Sequence, residues 1–236
     1  MINLNKKSRK LILLQRNELL TNEQRFIRKK FGRFMFTNFF VYFFQFKNLN
    51  NLTEELFKKE LNTFEQYLPS NIKNVLDIGC GLGILHILLN QKYKNKPEFF
   101  LLDKSKIDLK IKYGFNKNYE SYNDLKETRN ILLKNGILEE QIFIKNVDEE
   151  ININKKIDLV ISLKSMGYHY PIENYTNLFK KICTEITEFI IDISNENYNI
   201  EYVERYFDKV QLIYQEDSIH PLKRLHCKGF KFIDKD

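Results

Sequence analysis

The sequence is poor in residues that cross-link or interrupt a chain: it has no tryptophan, three cysteines, four prolines and eight glycines among 236 residues. Cys80, Cys183 and Cys227 are far apart and form no C-x-x-C pair. This spacing excludes a disulfide framework and a cysteine-based zinc cluster, and it favours a reducing cytoplasm as the location. No bound metal is predicted.

Long apolar runs are also missing. The longest, "FMFTNFFVYFFQF" (34–46), is too short to cross a bilayer as a helix. Near the start, the run "LILL" has four residues, and no small-residue cleavage site follows it, so a signal peptide is not predicted. We therefore expect no membrane-spanning segment.

Acidic residues are scarce only near the N-terminus. Residues 1–33 contain ten Lys and Arg but only Glu18 and Glu23, a local balance of +8. The remaining residues carry 28 cations and 29 anions, a balance of −1, so the overall charge of +7 belongs to the N-terminus.

The basic arm runs into the aromatic stretch "FGRFMFTNFFVYFFQF" (31–46). Cations interleaved with aromatic rings can bind nucleic acid or hold a helix on an anionic membrane surface. Alternatively, the rings pack over a ligand cleft or between subunits while the cations face water. We interpret residues 1–50 as a helical extension that acts as a lid, an oligomer contact or a partner contact. The rings concerned are Phe34, Phe36, Phe39, Phe40, Phe43, Phe44 and Phe46.

From residue 51 onward the pattern predicts one α/β domain, residues 51–236. A helix in "NNLTEELFKKELNTFEQYL", capped by Asn51 and ended by Pro69, precedes a βαβ unit made of "KNVLDIG", "ILHILLNQKY" and "PEFFLLD". A helix at about 121–135, a strand "QIFIKN", a strand "KIDLVISL", a helix "ENYTNLFKKICTEI" and a strand "EFIIDIS" follow. A helix "NIEYVERYF" then leads to a terminal antiparallel hairpin of "KVQLIYQED" and "RLHCKGFKFI".

The stretch "NVLDIGCGLGI" leaves the first strand and enters a helix with glycines at 79, 81 and 83. Glycines allow sharp turns and close approach of a ligand, although a tight turn without a ligand is the alternative. A dinucleotide loop requires G-x-G-x-x-G, but position 84 is Ile, and Asp77 suits a cation better than a pyrophosphate. This pattern favours S-adenosylmethionine, which carries an ammonium and a sulfonium and no phosphate.

"VLDIGCGLG" resembles the first motif of class I S-adenosylmethionine-dependent methyltransferases, and the resemblance extends over about residues 52–233. It implies a Rossmann-like, mostly parallel seven-stranded sheet with an antiparallel last strand and helices on both faces. In that family an acidic residue after the second strand holds the ribose hydroxyls, which corresponds to Asp103. After the third strand the family carries a polar residue near the adenine amino group, and the corresponding segment here is Asn146, Val147 and Asp148.

The resemblance implies S-adenosylmethionine as the cofactor and a binding site that includes Asp77, Gly79, Cys80, Gly81, Gly83, Asp103, Val147, Asp148 and Ser162. Cys80 would present its backbone to the ligand. Alternatively, Asp103 caps a turn and Asp148 belongs to a solvated acidic loop.

The acceptor of the methyl group is expected beyond the carboxyl end of the fourth strand, where "KSMGYHYP" (164–171) begins. This segment contains no "DPPY" or "NPPF" tetrapeptide and no Pro-Cys pair. Methylation of exocyclic amines and of pyrimidine carbons in nucleic acids is therefore not expected. Ribose and ring-nitrogen methylation remain open.

"SLKSMGYHYPIENY" is similar to a segment of sugar O-methyltransferases that commonly reads "SWGFHYP", with Met166 in place of Trp, and "LLDKSKIDLKIKYGFNKNYESYNDL" is similar to an insertion in such proteins. His169 is the candidate general base, since an imidazole titrates near neutrality; otherwise it bonds backbone at the start of a helix. Tyr168 and Tyr170 are expected to contact a sugar, Ser165 to bond a hydroxyl or cap the turn, and Lys164 to attract an anionic group or remain exposed.

The sequence thus predicts O-methylation of a hydroxyl on a sugar or glycan precursor. The alternatives are an RNA methyltransferase that uses the basic arm and a non-catalytic S-adenosylmethionine-binding protein. The acceptor is a small molecule or glycan, nucleic acid is a less favoured partner, and peripheral membrane contact and homo-oligomers are both compatible with the sequence.

Overall fold

A computed structural model describes residues 2–43, 46–94, 96–106, 122–194, 198–216 and 221–231. Residues 107–121 of the predicted insertion after the second strand, and Phe44 of the aromatic stretch, lie outside the described residues. Within them, no helix is long and apolar enough to cross a bilayer.

The centre of the structure is a seven-stranded sheet in the order β3-β2-β1-β4-β6-β8-β7. Its four neighbouring pairs from β3 to β6 are parallel, and β8 is antiparallel to both β6 and β7. The predicted sheet with an antiparallel last strand is therefore confirmed. The strands are β1 (Asn74–Ile78), β2 (Glu98–Asp103), β3 (Ile142–Asn146), β4 (Leu159–Ser162), β6 (Glu188–Ser194), β7 (Phe207–Glu216) and β8 (Leu222–Phe230).

An eighth strand, β5 (Ser165–Tyr170), lies outside the order of this sheet and contacts β6. It occupies the segment "SMGYHY", which the sequence had indicated only as the region after the fourth strand. Pro171 follows it and precedes a short 3₁₀ turn, Ile172–Tyr175.

Helices cover both faces of the sheet because its strands alternate buried apolar side chains between two clusters. On one face, Val75 and Leu101 pack with α1 (Lys6–Gln15), α4 (Phe46–Asn62), α5 (Ile84–Lys92) and α6 (Leu125–Lys134). On the other, Leu76 and Leu102 pack with α7 (Thr176–Ile182) and α8 (Ile200–Val203). Two further helices, α2 (Asn22–Phe31) and α3 (Arg33–Phe43), precede α4.

Several predicted helix boundaries are wrong: α4 ends at Asn62 and not at Pro69, α6 begins at Leu125 and not at about 121, and α7 is shorter than "ENYTNLFKKICTEI". Asn51 does not cap α4, which begins at Phe46, because Leu49 is buried in a cluster with α3 and continues the helix toward the N-terminus. The helix expected over "NIEYVERYF" ends at Val203. Phe207 instead starts β7, where it pairs with Phe230 in the hairpin.

The N-terminal segment packs against the sheet. Ile2, Leu4, Leu11 and Ile12 are at most 3% exposed and belong to the cluster that contains β1 and β2. The predicted division at residue 50 falls inside α4. The first helix is therefore in contact with the core of the α/β region.

Candidate functional site

The glycine loop connects β1 to α5 at the carboxyl edge of the sheet. Gly79, Gly81 and Gly83 have φ values of 87°, 54° and 71°, which are left-handed conformations that favour glycine. A Cβ on Gly79 would lie 2.3 Å from the Cβ of Ser165, and one on Gly81 would lie 3.1 Å from Oε1 of Gln15. The loop therefore requires glycine for its conformation and for its neighbours.

Hydrogen bonds hold this loop against the end of β2. The Gly79 N–H donates to the Leu102 carbonyl at 2.7 Å, and the Gly81 N–H donates to Oδ2 of Asp103 at 2.7 Å. Asn123 Nδ2 donates to the Gly81 carbonyl at 2.8 Å, and the Thr128 hydroxyl donates to the same oxygen at 2.9 Å. The loop is thus clamped on both sides of Gly81. The sequence had not singled out Asn123 or Thr128.

Asp103, the predicted ribose-binding carboxylate, ends β2 beside the glycine loop. Oδ2 accepts from Gly81 and from Asn123 Nδ2 at 3.1 Å, and Oδ1 accepts from the Lys104 N–H at 2.6 Å. Burial raises the pKa of Asp103 to about 6, and the neighbouring Asp77 carboxylate acts in the same direction. The carboxyl can therefore titrate close to neutrality.

Asp77 lies beneath the loop, between β1 and α5. Its Oδ2 is 3.2 Å from Nε2 of His86, a fully buried side chain of α5 that packs edge-on against Phe99. Oδ1 of Asp77 is buried and has no hydrogen-bond partner among the described residues. The Asp77 carboxylate is thus placed to attract a cation, and its neighbour in the structure is an imidazole.

Cys80 is not a nucleophile in this arrangement. Burial, followed by the Asp103 and Asp77 carboxylates, raises the pKa of its thiol well above the ordinary value. The thiol therefore stays protonated at neutral pH. Only the backbone of Cys80 is suited to face a ligand.

Beside the loop lies a small pocket that encloses about 10 Å³, room for about one water molecule. It brings together five of the predicted site residues from four different strand ends. It also contains two residues that the sequence had not singled out, Lys104 and Tyr175. The lining is Gly79, Asp103, Lys104, Val147, Ser165, Tyr170 and Tyr175.

The two additional pocket residues are positioned by the elements that carry the predicted ones. Lys104 follows Asp103 directly, and its Nζ lies 3.5 Å from Oδ1 of Asp148 and 5.9 Å from the centre of the Tyr170 ring. Burial and the Asp103 and Asp148 carboxylates raise the pKa of Tyr175. The sequence could have indicated Lys104 as a pocket residue, because it directly follows the acidic residue that ends β2. No sequence pattern indicated Tyr175.

Nine of the fourteen predicted site residues lie outside the pocket lining, among them Ser162, Tyr168 and His169. Ser162 is fully buried, and its hydroxyl donates to the Ile78 carbonyl and accepts from the Met166 N–H, both at 2.8 Å. The rings of Tyr168 and His169 contact each other edge-on at 4.8 Å on β5. Met166 is fully buried in the core, so it is not placed to stack on a sugar.

Lys164 lies in a left-handed conformation, with φ of 57°, and forms contacts of its own. Its Nζ lies 2.7 Å from Oε1 of Glu18, and its backbone N–H donates to Oδ2 of Asp192 at 3.2 Å. It is 30% exposed, and its charge is paired with the N-terminal segment. The structure therefore brings the basic arm next to the predicted acceptor segment.

The Asp192 carboxylate continues this contact into a buried ionic network. Arg224 donates to both of its oxygens, at 2.7 and 2.8 Å, and also approaches Glu60 of α4 at 3.5 Å. Arg16, at the end of α1, pairs with Glu60 at 2.9 Å. Although burial acts in the opposite direction, the two guanidinium groups hold the pKa of Glu60 below its ordinary value. The network joins α1, α4, β6 and β8.

Among the described residues, no group of three or more His, Cys, Asp or Glu side chains is arranged to hold a metal ion. The three cysteines are free thiols.

Comparison with solved structures supports the fold. A protein from Nostoc punctiforme assigned as an O-methyltransferase matches 76% of this chain with 12% identity and a TM-score of 0.50, and this chain covers 61% of its length. The StiE O-methyltransferase segment matches 79% of this chain with 14% identity and a TM-score of 0.50, and 77% of its own length is covered. The chain therefore has the Rossmann-like methyltransferase fold. No protein-family model and no curated protein matches it.

Proposed function

We propose that this protein binds S-adenosylmethionine and transfers its methyl group. The observation that carries the proposal is the glycine loop lying directly against Asp103 at the carboxyl edge of the sheet. Three left-handed glycines let the loop turn tightly against its neighbours, and the carboxylate beside it can accept hydrogen bonds from two neighbouring hydroxyls.

The residues of the site fit this cofactor. Asp103 would accept the ribose hydroxyls, Val147 would contact the adenine, and Asp77 would attract the cationic end. When bound, S-adenosylmethionine supplies a methyl group activated by a sulfonium. Asp103 would then exchange the Gly81 and Asn123 donors for ligand hydroxyls.

The acceptor is proposed to be a hydroxyl of a sugar or glycan precursor. Ser165 and Tyr170 line the pocket, and His169 lies next to Tyr170 on the same strand but outside the lining. These side chains offer hydroxyls for hydrogen bonding, rings for sugar faces and an imidazole that can take the proton of the acceptor hydroxyl. We place the reaction in the cytoplasm because all three cysteines are free thiols.

The test is incubation of the full chain with methyl-labelled S-adenosylmethionine and separate pools of nucleotide sugars, glycans and RNA, followed by mass analysis. We expect label in the nucleotide-sugar or glycan pool. Label in RNA alone would replace the acceptor assignment. Cofactor binding without transfer to any pool would support a non-catalytic binding protein, and no cofactor binding would refute the proposal as a whole.

The role of His169 is tested on the acceptor found in this way. His169→Ala should lower turnover about 100-fold or more, as expected for loss of a general base. Its affinity for S-adenosylmethionine should stay within about twofold of the wild type. Tyr168→Phe is the matched control, since it keeps the ring that contacts His169. A fall of less than about tenfold in His169→Ala would show that His169 is not the base.

A further inference from the structure

The helices α2 and α3 carry an unusual concentration of exposed apolar side chains. Five of the eleven large apolar side chains that are exposed in the described part of the chain lie between residues 26 and 39. We call these five residues the α2–α3 patch. They are Phe26 at 59%, Ile27 at 43%, Phe31 at 59%, Met35 at 57% and Phe39 at 60% exposure. A concentration of this kind marks an interaction surface.

The patch projects from the rest of the molecule. In α2 only Arg28 is buried and only Gln24 is half-buried, while the other eight residues are exposed. Arg28 fixes the helix by donating to the Leu13 carbonyl at 2.8 Å and to Oδ1 of Asn17. The helix is therefore held from one side and presents its other sides outward.

Cations surround the patch. Arg25, Lys29 and Lys30 are exposed on α2, and Nζ of Lys30 lies 4.7 Å from the centre of the Phe26 ring. Residues 22–39 contain five Lys and Arg and one acid, Glu23. None of the three exposed cations forms an ion pair with a residue that the structure describes. The charge of the surface is thus available to an anionic partner.

We propose that the α2–α3 patch docks on an anionic phospholipid surface. Phenylalanine and aliphatic side chains enter the boundary between headgroups and acyl chains, while lysine and arginine stems reach back to the phosphates. This inference does not depend on the proposed methyl transfer. It predicts a protein that binds membranes peripherally through these two helices.

Two other binding partners, a second copy of the chain and a nucleic acid, fit the α2–α3 patch less well. A symmetric dimer through the patch would bring Lys29 and Lys30 of one copy toward the same residues of the other, and like charges oppose such an interface. Nucleic-acid interfaces are mostly polar, and Ile27 and Met35 have no ring face on which a base can stack. An anionic lipid surface can bury the apolar side chains and bind the cationic ones through its phosphates.

The test is co-sedimentation of the full chain with vesicles of equimolar phosphatidylglycerol and phosphatidylcholine. The wild type should bind them, should bind pure phosphatidylcholine much more weakly, and should be released as salt rises from about 0.1 M to about 0.5 M. Lys29→Gln with Lys30→Gln should lower the partition coefficient about 25-fold, at about fivefold for each cation. Phe26→Ser with Phe31→Ser should lower it about tenfold or more.

Matched controls come from other exposed positions. Lys126→Gln with Lys134→Gln removes two exposed cations from α6, and Ile186→Ser removes an apolar side chain that is 82% exposed. Both should stay within about twofold of the wild type. Thermal melting checks that each variant is folded, and the single substitutions Lys30→Gln and Phe31→Ser replace any double variant that is not.

Four results would overturn the proposal. The wild type could remain in solution with the anionic vesicles, or the controls could lose as much binding as the patch variants. The wild type could also bind a labelled single-stranded RNA while leaving the vesicles, which would assign the patch to nucleic acid. Failure to bind vesicles, combined with a dimer that the Phe26→Ser and Phe31→Ser variant dissociates, would assign it to a second copy of the chain.

Discussion

Asp103 must satisfy two demands with one carboxyl group. In the structure its oxygens accept from Gly81, Lys104 and Asn123, which close the glycine loop over the end of β2. In the proposed complex the same oxygens accept from two ribose hydroxyls. Burial raises the pKa of this carboxyl to about 6, so the charged form that accepts best is already partly lost in mildly acidic solution.

Cofactor affinity should therefore fall as pH decreases through about 6, because protonation removes acceptor capacity from Asp103. A bound diol favours the ionised form, which lowers the pKa in the complex, so the loss approaches about tenfold for each pH unit well below 6. Calorimetric titration with S-adenosylmethionine at several values between about pH 5 and about pH 8 measures this effect.

Asp103→Asn is the matching variant. It should bind the cofactor about 10- to 100-fold more weakly at neutral pH, since hydrogen bonds to a charged group are lost. Its affinity should change little between about pH 5 and pH 7. If the variant kept the pH profile of the wild type, a group other than Asp103 would be responsible.

The sequence identified Asp103 and the glycines because both follow buried strands at fixed positions. It was less informative about which atoms these residues contact. Asp77 shares the face of β1 that carries Val75, so it lies beneath α5 beside His86, and the strand alternation contained that signal. The hydrogen bonds of the Ser162 hydroxyl with Ile78 and Met166 depend on tertiary structure, which no local sequence pattern predicts.

The glycine loop and the segment after β4 are fitted to each other as elements. Gly79 approaches Ser165 so closely that an added Cβ would lie 2.3 Å from the Ser165 side chain. Gly136, after α6, has nearly the same φ, 89° against 87°, but nothing lies within 4 Å of the position of its Cβ. Comparing substitutions at Gly79 and Gly136 therefore separates the effect of backbone strain, which both share, from the effect of crowding, which only Gly79 has.

Gly79→Ala should therefore destabilise the protein more than Gly136→Ala does. In both variants the left-handed conformation lowers the free energy of unfolding by about 1–2 kcal/mol. In Gly79→Ala overpacking lowers it by about 1–3 kcal/mol more. Urea unfolding of the two variants measures the difference. Adding Ser165→Gly to Gly79→Ala should recover most of the extra loss. Equal losses in the two single variants would contradict the close approach.

Most elements were predictable because their periodicity is strong and local. The βαβ unit and the terminal hairpin have buried strands and clear turn residues, and they fold as expected. The strand β5 was missed because "KSMGYHYP" combines glycine and proline, which are typical of turns. Its Gly167 has a φ of 82°, and an added Cβ there would lie 2.8 Å from the Asp192 carbonyl oxygen. That fit depends on β6, which is remote in sequence.

At the scale of the whole molecule, the order of the sheet followed from resemblance to a known fold, whereas the position of the N-terminal helix did not. The helix α1 joins the core through apolar side chains and joins the sheet's carboxyl edge through Arg16 and the buried ionic network. Neither contact has a local signature, because the partners lie on elements remote in sequence, including β1 and β2 for the apolar contact and α4, β6 and β8 for the ionic network. The basic composition of the arm indicated a solvent or partner role and concealed the packing of α1.

The packing of α1 predicts that the N-terminal segment and the sheet unfold together. Ile12 is fully buried in the cluster that contains Val75 and Leu101, so Ile12→Ala should lower the free energy of unfolding by about 2–5 kcal/mol. Met35→Ala, at a side chain that is 57% exposed, should change it by less than about 0.5 kcal/mol. Urea unfolding followed by circular dichroism and by tyrosine fluorescence measures both.

The same experiment decides whether residues 1–50 form a separate unit. If they are part of one cooperative structure, the two signals coincide in the wild type, and Ile12→Ala shifts both to lower urea without changing the slope. If the arm is an independent extension, Ile12→Ala would produce an early transition that leaves the main unfolding of the sheet in place. That result would show that α1 unfolds independently of the core. The site would then be expected to stay folded after deletion of residues 1–50.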